Sequence, residues 1–336
     1  MSGARAPQVQ VLLDGAALPG VMAADVFATS QLSADRFRVR FAVQALGAAA
    51  AGLRRPGARV ELQGTVMAPA WVSLLVGEVD SVTLDAVHGT LEVEGRDLAA
   101  RLIEAQAGEN FANQTSSEIV EAVAARHGLA ADVTVTSTPV GRYYQDQHDR
   151  MTLAQFARAA TEWDLLTWLA VQEGFVLGLL GDRLQFGPRD MNPQPITVQN
   201  CLAVEGTQQV SLLRPIEVTV RSWGTRAGAQ VEQKASAPGV GPVLSQIVTK
   251  PNLSADQALA LAQSVLADLQ LHARTARIAM PGELMLSARG VVAMSGMGAG
   301  WDGTYAVGTL DRHLDAKHGF TQTLELQSIP GGASGG

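Results

Sequence analysis

Residues 143–188 decide the fold, and their sequence is YYQDQHDRMTLAQFARAATEWDLLTWLAVQEGFVLGLLGDRLQFGP. The middle of this stretch has the pattern of an amphipathic helix. Thr152 is a suitable N-cap, and Gln155 three residues later completes a capping box. One apolar face then follows at helical spacing, made of Leu153, Phe156, Ala157, Ala160 and Trp163.

After this helix the apolar pattern changes. Residues 166–171 and 175–180 are apolar and partly β-branched, which favours strands. Gly181 and Asp182 form a turn pair, and residues 183–186 alternate as a short strand does. The stretch therefore predicts a helix followed by a small antiparallel sheet.

Strand patterns dominate the chain before this stretch. Residues 36–43 alternate strictly, with four apolar side chains on one face and three arginines on the other (Phe37, Val39, Phe41 and Val43; Arg36, Arg38 and Arg40). Further strands are predicted at 8–13, 58–62, 71–84 and 90–94, with turns at Asp14-Gly15, Pro56-Gly57 and His88-Gly89. Regular strands with such turns indicate a sandwich or barrel.

Three helices and a second set of strands complete the prediction. A short helix is expected at 97–104. Thr115 with Glu118, and Ser254 with Gln257, are capping boxes that begin two longer helices. The buried faces are predicted as Ile119, Val120, Val123 and Ala124 in one, and Leu259, Ala262, Val265, Leu266 and Leu269 in the other; Gly128 is the expected stop of the first. Strands follow at 216–220, 274–280, 290–294, 303–308 and 320–327, and residues 224–242 are predicted as a long exposed loop.

Four stretches carry a resemblance to a known family. They are the 143–188 module, FANQTSSEIVEAVAARHGL (111–129), the helix at 254–274, and the ending GTYAVGTLDRHLDAKHGFTQTLELQ (303–327). In this order they resemble the phage late control protein D family, the baseplate hub proteins of tailed phages and contractile injection systems. The resemblance implies an α+β, mainly β fold, in which two tube-like antiparallel β-barrel domains flank an α/β insert.

Composition fits an assembly component. Charged residues make up 17% of the chain, against roughly 25% in an average soluble domain. This favours a surface covered by neighbouring subunits, and a genomic bias toward alanine and glycine is the alternative. The net charge is −7 without a basic run, which argues against non-specific or sequence-specific nucleic-acid binding. The single cysteine, Cys201, excludes an internal disulfide, and we expect neither a signal peptide nor a membrane anchor.

No motif predicts chemistry. The six residues 298–303 match G-x-G-x-x-G, but a strand follows where a dinucleotide site needs a helix, so a hairpin loop is expected. Residues 332–336 match a nucleophile elbow without a following helix. The run 145–149 has two carboxylates and a histidine, and is interpreted as a solvated loop or subunit contact. Trp163, Trp168 and Tyr143-Tyr144 are predicted core residues, whereas Trp301 is expected to be exposed.

The best metal candidate is the pair His313 and His318, near Asp311 and Asp315. Residues five apart in a strand face opposite ways, and residues 315–319 are expected to form a turn, so we expect no metal site. His313 is predicted to be a packed or hydrogen-bonded strand residue, and His318 an exposed turn residue. No catalytic, cofactor-binding or metal-binding residue is therefore assigned.

The predicted organisation is a first tube-like β domain (1–96), an α/β insert (97–195), a second tube-like β domain with one long helix (196–330) and a flexible end (331–336). The resemblance implies a non-enzymatic homotrimer that joins the six-fold tail tube to a trimeric spike and lines a DNA or effector channel. Its partners would be the tail tube protein, the central spike protein and other baseplate or tail-tip proteins, and it would be assembled in the bacterial cytoplasm. The alternatives are a tail-associated cell-wall hydrolase and a soluble carbohydrate-binding β protein.

Overall fold

A computed structural model describes residues 7–30, 32–66, 70–107, 111, 114–137, 139–140, 161–223, 230–251, 253–298 and 300–329. The predicted Thr152 cap and the helix face from Leu153 to Ala160 lie outside these residues, as do the polar run at 145–149 and the glycine-rich end. No helix among the described residues combines the length and the apolar character needed to cross a membrane.

The chain is mainly β, as predicted. The first region contains seven strands: β1 (Gln8–Leu13), β2 (Ala16–Leu18), β3 (Val21–Thr29), β4 (Arg36–Ala42), β5 (Arg59–Thr65), β6 (Val72–Asp85) and β7 (Thr90–Asp97). Two short helices, α1 (Val43–Leu46) and α2 (Ala49–Leu53), connect β4 to β5. In β4 the predicted face of Phe37, Val39 and Phe41 is buried, whereas Val43 begins α1 instead of continuing the strand.

The middle region mixes helices and short strands. Its elements are α3 (Ala99–Glu104), β8 (Gln114–Thr115), α4 (Ser116–Arg126), β9 (Ala130–Val133), β10 (Pro139–Val140), α5 (Glu162–Glu173), β11 (Val176–Leu180) and β12 (Arg183–Gly187). The capping box of Thr115 and Glu118 begins α4, and Gly128 follows it in the left-handed conformation, as predicted. The buried faces of α4 and α5 pack with β11 and β12 into one apolar core.

One prediction in this region is wrong, because residues 166–171 form part of α5. Thr161 and Asp164 make a capping box at its start, and Gly174 ends it with a φ of 69°. The helix buries Trp163, Leu165, Leu166, Leu169 and Ala170, so apolar residues occupy most of its circumference. A helix buried in this way gives a continuous apolar run that resembles a buried strand.

The last region contains β13 (Gln194–Thr197), β14 (Ala203–Gln208), β15 (Ile216–Trp223), β16 (Gln230–Ala237), β17 (Leu244–Thr249), α6 (Ala255–Leu271), β18 (Arg274–Pro281), β19 (Val291–Ser295), β20 (Gly303–Asp315) and β21 (Gly319–Ser328). Strands β16, β15 and β17 form a separate sheet, and α6 packs on it with its predicted Ser254–Gln257 capping box. The prediction of a long loop at 224–242 is therefore wrong for residues 230–237, which form β16. Exposed and less exposed positions alternate along residues 230–237, but the side chains are mostly small or polar. The sequence therefore lacks the apolar alternation that indicates a strand.

The first and last regions share one thirteen-stranded sheet. Its order is β14-β18-β21-β20-β3-β4-β7-β6-β5-β1-β2, with β19 on β20 and β13 on β19. The two regions join where β3 pairs antiparallel with the second half of β20. The domain boundaries predicted at residues 96, 195 and 330 remain predictions.

The same strand order occurs twice within this sheet. Strands β3, β4, β5, β6 and β7 pair as β5-β6-β7-β4-β3, and strands β14, β18, β19, β20 and β21 pair as β19-β20-β21-β18-β14. Every neighbouring pair in both sets is antiparallel. The two sets therefore have the same strand order, and we call them the first and second repeat.

Candidate assembly site

The hairpin tip of the first repeat is an aspartate-histidine turn. Asp85 accepts hydrogen bonds from the backbone N–H groups of Val87 at 3.0 Å and His88 at 2.9 Å. The other carboxylate oxygen lies 2.7 Å from Nδ1 of His88. Gly89 then adopts a φ of 64°, the left-handed conformation that a glycine accepts without strain.

The hairpin tip of the second repeat has the same chemistry, since Asp-Ala-x-His-Gly recurs at 315–319. Asp315 accepts from the N–H groups of Lys317, at 3.0 Å, and His318, and lies 2.8 Å from Nδ1 of that histidine. These hydrogen bonds hold the pKa of Asp315 well below its usual range. The shared turn is independent support for the repeat.

His313 adds a contact that the first repeat lacks. Its Nδ1 lies 2.6 Å from Asp25 on β3, and its Nε2 lies 3.1 Å from Asp315. Asp25 also accepts from Nε of Arg38 at 3.1 Å. The histidine therefore ties the two repeats together across the β3–β20 joint. Its predicted role as a hydrogen-bonded strand residue is confirmed, as is the exposed turn position of His318.

Stability should depend on pH through His313. Its hydrogen bond to Asp25, and then that to Asp315, raises the pKa of His313 above the usual value, although burial opposes this. A raised folded-state pKa means that the stabilisation is complete below about pH 6.5, the unfolded value, and is lost as pH rises through the folded value. We expect His313→Gln to flatten the dependence of the denaturation midpoint on pH above about pH 6.5.

The His88→Gln variant is the matched control for this measurement. Its turn carries Thr83 where the second turn carries His313, so the bridge between repeats stays intact. That variant should keep the pH dependence of the unmodified chain. An unchanged pH profile in His313→Gln would show that the bridge contributes nothing to stability.

A buried ion pair joins all three regions. Arg289 lies 3.2 Å from Asp35, and the two side chains are only 10% and 9% exposed. The same guanidinium donates to the carbonyl oxygens of Leu177 at 3.3 Å and Leu179 at 3.5 Å. Asp35 precedes β4 in the first repeat, and Arg289 precedes β19 in the second. Both leucines lie on β11 of the insert. The side chain of Arg289 therefore links the insert to both repeats.

A second carboxylate lies in the same buried cluster. Burial, and then the negative charge of Asp35, raises the pKa of Asp97 to about 8, so it is largely protonated at neutral pH. Burial also raises the pKa of Asp35, against the opposing charge of Arg289. With Asp97 neutral, Asp35 is the carboxylate that faces the guanidinium of Arg289, and the charge of the buried Arg312 also acts on it.

Gly178 makes room for this guanidinium. A Cβ atom at that position would lie 1.8 Å from Nε of Arg289, so any other residue would displace the arginine. No local motif in the sequence indicates this requirement, because the two positions are far apart in the chain.

Comparisons with known proteins agree on the fold. No family model and no curated protein sequence matches the chain. Among solved structures, a 43 kDa tail protein of prophage MuSo2 from Shewanella oneidensis matches at 15% identity and a TM-score of 0.72, covering 95% of this chain and 98% of that one. A tail protein from Neisseria meningitidis matches at 17% identity and a TM-score of 0.73, covering 96% and 97%.

A third structure extends the likeness to another class of machine. It is an E. coli component of the type VI secretion system, described as similar to the T4 bacteriophage tail proteins gp27 and gp5. It matches at 10% identity and a TM-score of 0.62, covering 94% of this chain and 76% of that one. The chain has a phage tail-protein fold. The resemblance to hub proteins predicted from the sequence is confirmed at this level.

In the tail-protein fold, the described residues of the G-x-G-x-x-G segment lie between β19 and β20 and at the start of β20, as predicted. Oδ1 of Asp302 accepts from the N–H groups of Met297 at 2.7 Å and Gly298 at 3.2 Å, which closes the loop. The expectation that Trp301 is exposed is wrong. Its ring packs on Gly206 of β14, where a Cβ atom would lie 2.7 Å from the indole. Trp163 is a core residue as predicted.

The spacing argument about His313 and His318 is also wrong. The turn at 316–318 brings the two rings to 6.1 Å, and ligand atoms of both histidines and Asp315 lie within 4.8 Å of one another. Each of the three side chains already makes hydrogen bonds in the joint or in the turn. The first repeat makes the same aspartate-histidine contact with no third ligand, so the turn itself explains the arrangement.

We therefore expect no metal dependence. Treatment with EDTA should leave the melting temperature unchanged, and added zinc should not raise it, because a closed set of ligands would couple metal binding to folding. A fall in melting temperature with EDTA that zinc reverses, and that His318→Gln abolishes, would establish a metal site here.

Proposed function

We propose that the chain is a structural hub of a phage tail or of a tail-derived injection machine. In this proposal three copies form a ring that joins the six-fold tail tube to a trimeric spike and surrounds a channel. The chain acts by docking, without catalysis, at the baseplate of an assembled particle. Its partners are the tube protein, the spike protein and neighbouring baseplate or tail-tip proteins.

The observation that carries the proposal is the repeated strand order within one continuous sheet. Two similar repeats in each chain give six in a ring of three. Such a ring presents six nearly equivalent positions to a six-fold partner and keeps three-fold symmetry for a spike. The tail-protein fold of the neighbouring structures agrees with this arrangement.

The polar face of the sheet suits a channel wall. On β4 and β7, Arg40 lies 3.0 Å from Glu92, and Arg38 is directly opposite Glu94. On β18 and β21, Arg277 is directly opposite Glu325. These glutamates offset the positive charge of the arginines opposite them, which would limit the adhesion of a nucleic acid.

Mass and symmetry test the proposal. Light scattering of the purified chain should give three times the chain mass of 35.2 kDa, and electron micrographs should show a three-fold ring with a central hole. A two-fold dimer without a hole would contradict the proposal. Release of soluble fragments from purified peptidoglycan would favour the hydrolase alternative instead.

A further inference from the structure

The two repeats meet inside the chain at a joint with a defined geometry. Strand β3 is the last strand of the first repeat, and its outer edge pairs with residues 309–315 of β20. The first half of β20, from Gly303 to Ala306, pairs with β19 instead. The joint therefore consists of the last strand of one repeat and the second half of the long strand of the other.

The same two edges occur again with the repeats exchanged. Strand β14 is the last strand of the second repeat, and it pairs with β18 alone. Strand β6 is the long strand of the first repeat, and β5 covers only its residues 72–78. Among the residues that the structure describes, β14 and the second half of β6 have no strand partner on their outer edges.

Both edges are exposed to solvent. Asp80, Ser81 and residues 83–85 of β6 are exposed, as are Ala203 and residues 205–207 of β14. Large apolar side chains lie exposed beside them: Leu84 is 52% exposed, Val87 90% and Leu202 67%. Neither edge carries the lysine or proline that commonly prevents edge-to-edge pairing.

We infer that β14 of one copy pairs antiparallel with the second half of β6 of a second copy, repeating the internal β3–β20 joint between chains. This inference rests on the proposed function, which supplies the ring of three copies. The contact is heterologous, since two different edges meet, and such contacts generate closed rings when the rotation permits.

The internal joint also gives the register. The register follows when Asp85 is aligned with Asp315 and the pairings of each repeat are traced from strand to strand. Residues 203–207 of β14 then lie over residues 79–83 of β6. Ser81 then lies opposite Glu205. The register carries an offset of one residue, because the two hairpin turns span residues 86–89 and 316–318.

Disulfide cross-linking tests the pairing. Directly opposed residues on antiparallel strands have Cβ atoms about 4.5–5.5 Å apart, close enough for a disulfide after a small adjustment. Cys201 is first replaced by alanine, because it lies next to β14. A chain with both Ser81→Cys and Glu205→Cys should give cross-linked species of up to three chains on a non-reducing gel. Since both positions are exposed, folding should be preserved, and circular dichroism checks this.

Single-cysteine chains are the matched controls. Neither Ser81→Cys nor Glu205→Cys should cross-link alone, but a mixture of the two should give a species of two chains. Val204→Cys, paired either with Ser81→Cys or with the exposed Thr83→Cys, allows for the offset in both directions. If the chain is trimeric by light scattering but none of these pairs cross-links, the pairing is overturned and the proposed hub stands. Cross-links from either single variant alone would indicate a two-fold contact and overturn the pairing. A chain that stays single at all concentrations overturns both.

Discussion

Replacing Arg289 with methionine is expected to lower the free energy of unfolding by about 3–5 kcal/mol, the usual loss when one partner of a buried ion pair is removed. Asp35 would remain buried with no opposite charge at 3.2 Å. The carbonyl oxygens of Leu177 and Leu179 would lose the same guanidinium. Chemical denaturation followed by tryptophan fluorescence measures the loss, with Trp163 in the insert as one reporter.

Two controls separate the buried pair from a general effect of removing an arginine. Arg221 pairs with Glu232 at 3.0 Å, and the two side chains are 46% and 38% exposed. Arg221→Met should therefore cost at most about 1 kcal/mol. The double variant Arg289→Met/Asp35→Asn should be more stable than Arg289→Met alone, because no charge remains buried without its partner. A loss in the double variant equal to the sum of both single losses would contradict this explanation.

Local features of this chain were predictable because they depend on neighbouring residues. The capping boxes at Thr115 and Ser254 each need only two side chains three positions apart. The alternation in β4 and the hairpin turns likewise follow from short segments. The residues that make these contacts are close together in the sequence, so the contacts can be predicted from it.

The contacts that join the regions were not predictable in this way. Arg289 and Asp35 are 254 positions apart, and neither lies in a motif. His313 was assigned a hydrogen bond, but its partner Asp25 belongs to β3, a strand that the sequence analysis did not recognise. Since many arginines and aspartates have similar local surroundings, only the three-dimensional pairing of β3 with β20 selects these partners.

The errors have a common physical origin. Helix α5 was predicted as a strand because its buried circumference removes the polar positions that reveal a helical period. The distance between His313 and His318 was misjudged because strand spacing was applied to a pair in which His318 was itself predicted to lie in a turn. In both cases a rule that holds for a half-exposed regular element was applied where the element was mostly buried or had ended.

The second large effect is expected at Gly178, and it acts through the same arginine. A methyl group there would lie 1.8 Å from Nε of Arg289, and the pinned guanidinium has few places to move. We expect Gly178→Ala to lower the free energy of unfolding by about 3 kcal/mol, at the upper end of the range for overpacking. In the Arg289→Met background the clash is absent, so the same change should cost only about 1 kcal/mol or less.

A double-mutant cycle of these variants should therefore give a coupling energy of about 2 kcal/mol between Gly178 and Arg289, within the range for residues in contact. Gly64→Ala is the matched control, because the atoms nearest to a Cβ there belong to the flexible side chains of Leu74 and Leu284, at 3.2 Å. Its small cost should be the same in both backgrounds. If the losses in free energy for Gly178→Ala and Arg289→Met are additive, Gly178 affects stability through its own strand and not through Arg289. A clear coupling would show that one small residue in the insert and one arginine before β19 act as a unit, which holds the insert against both repeats.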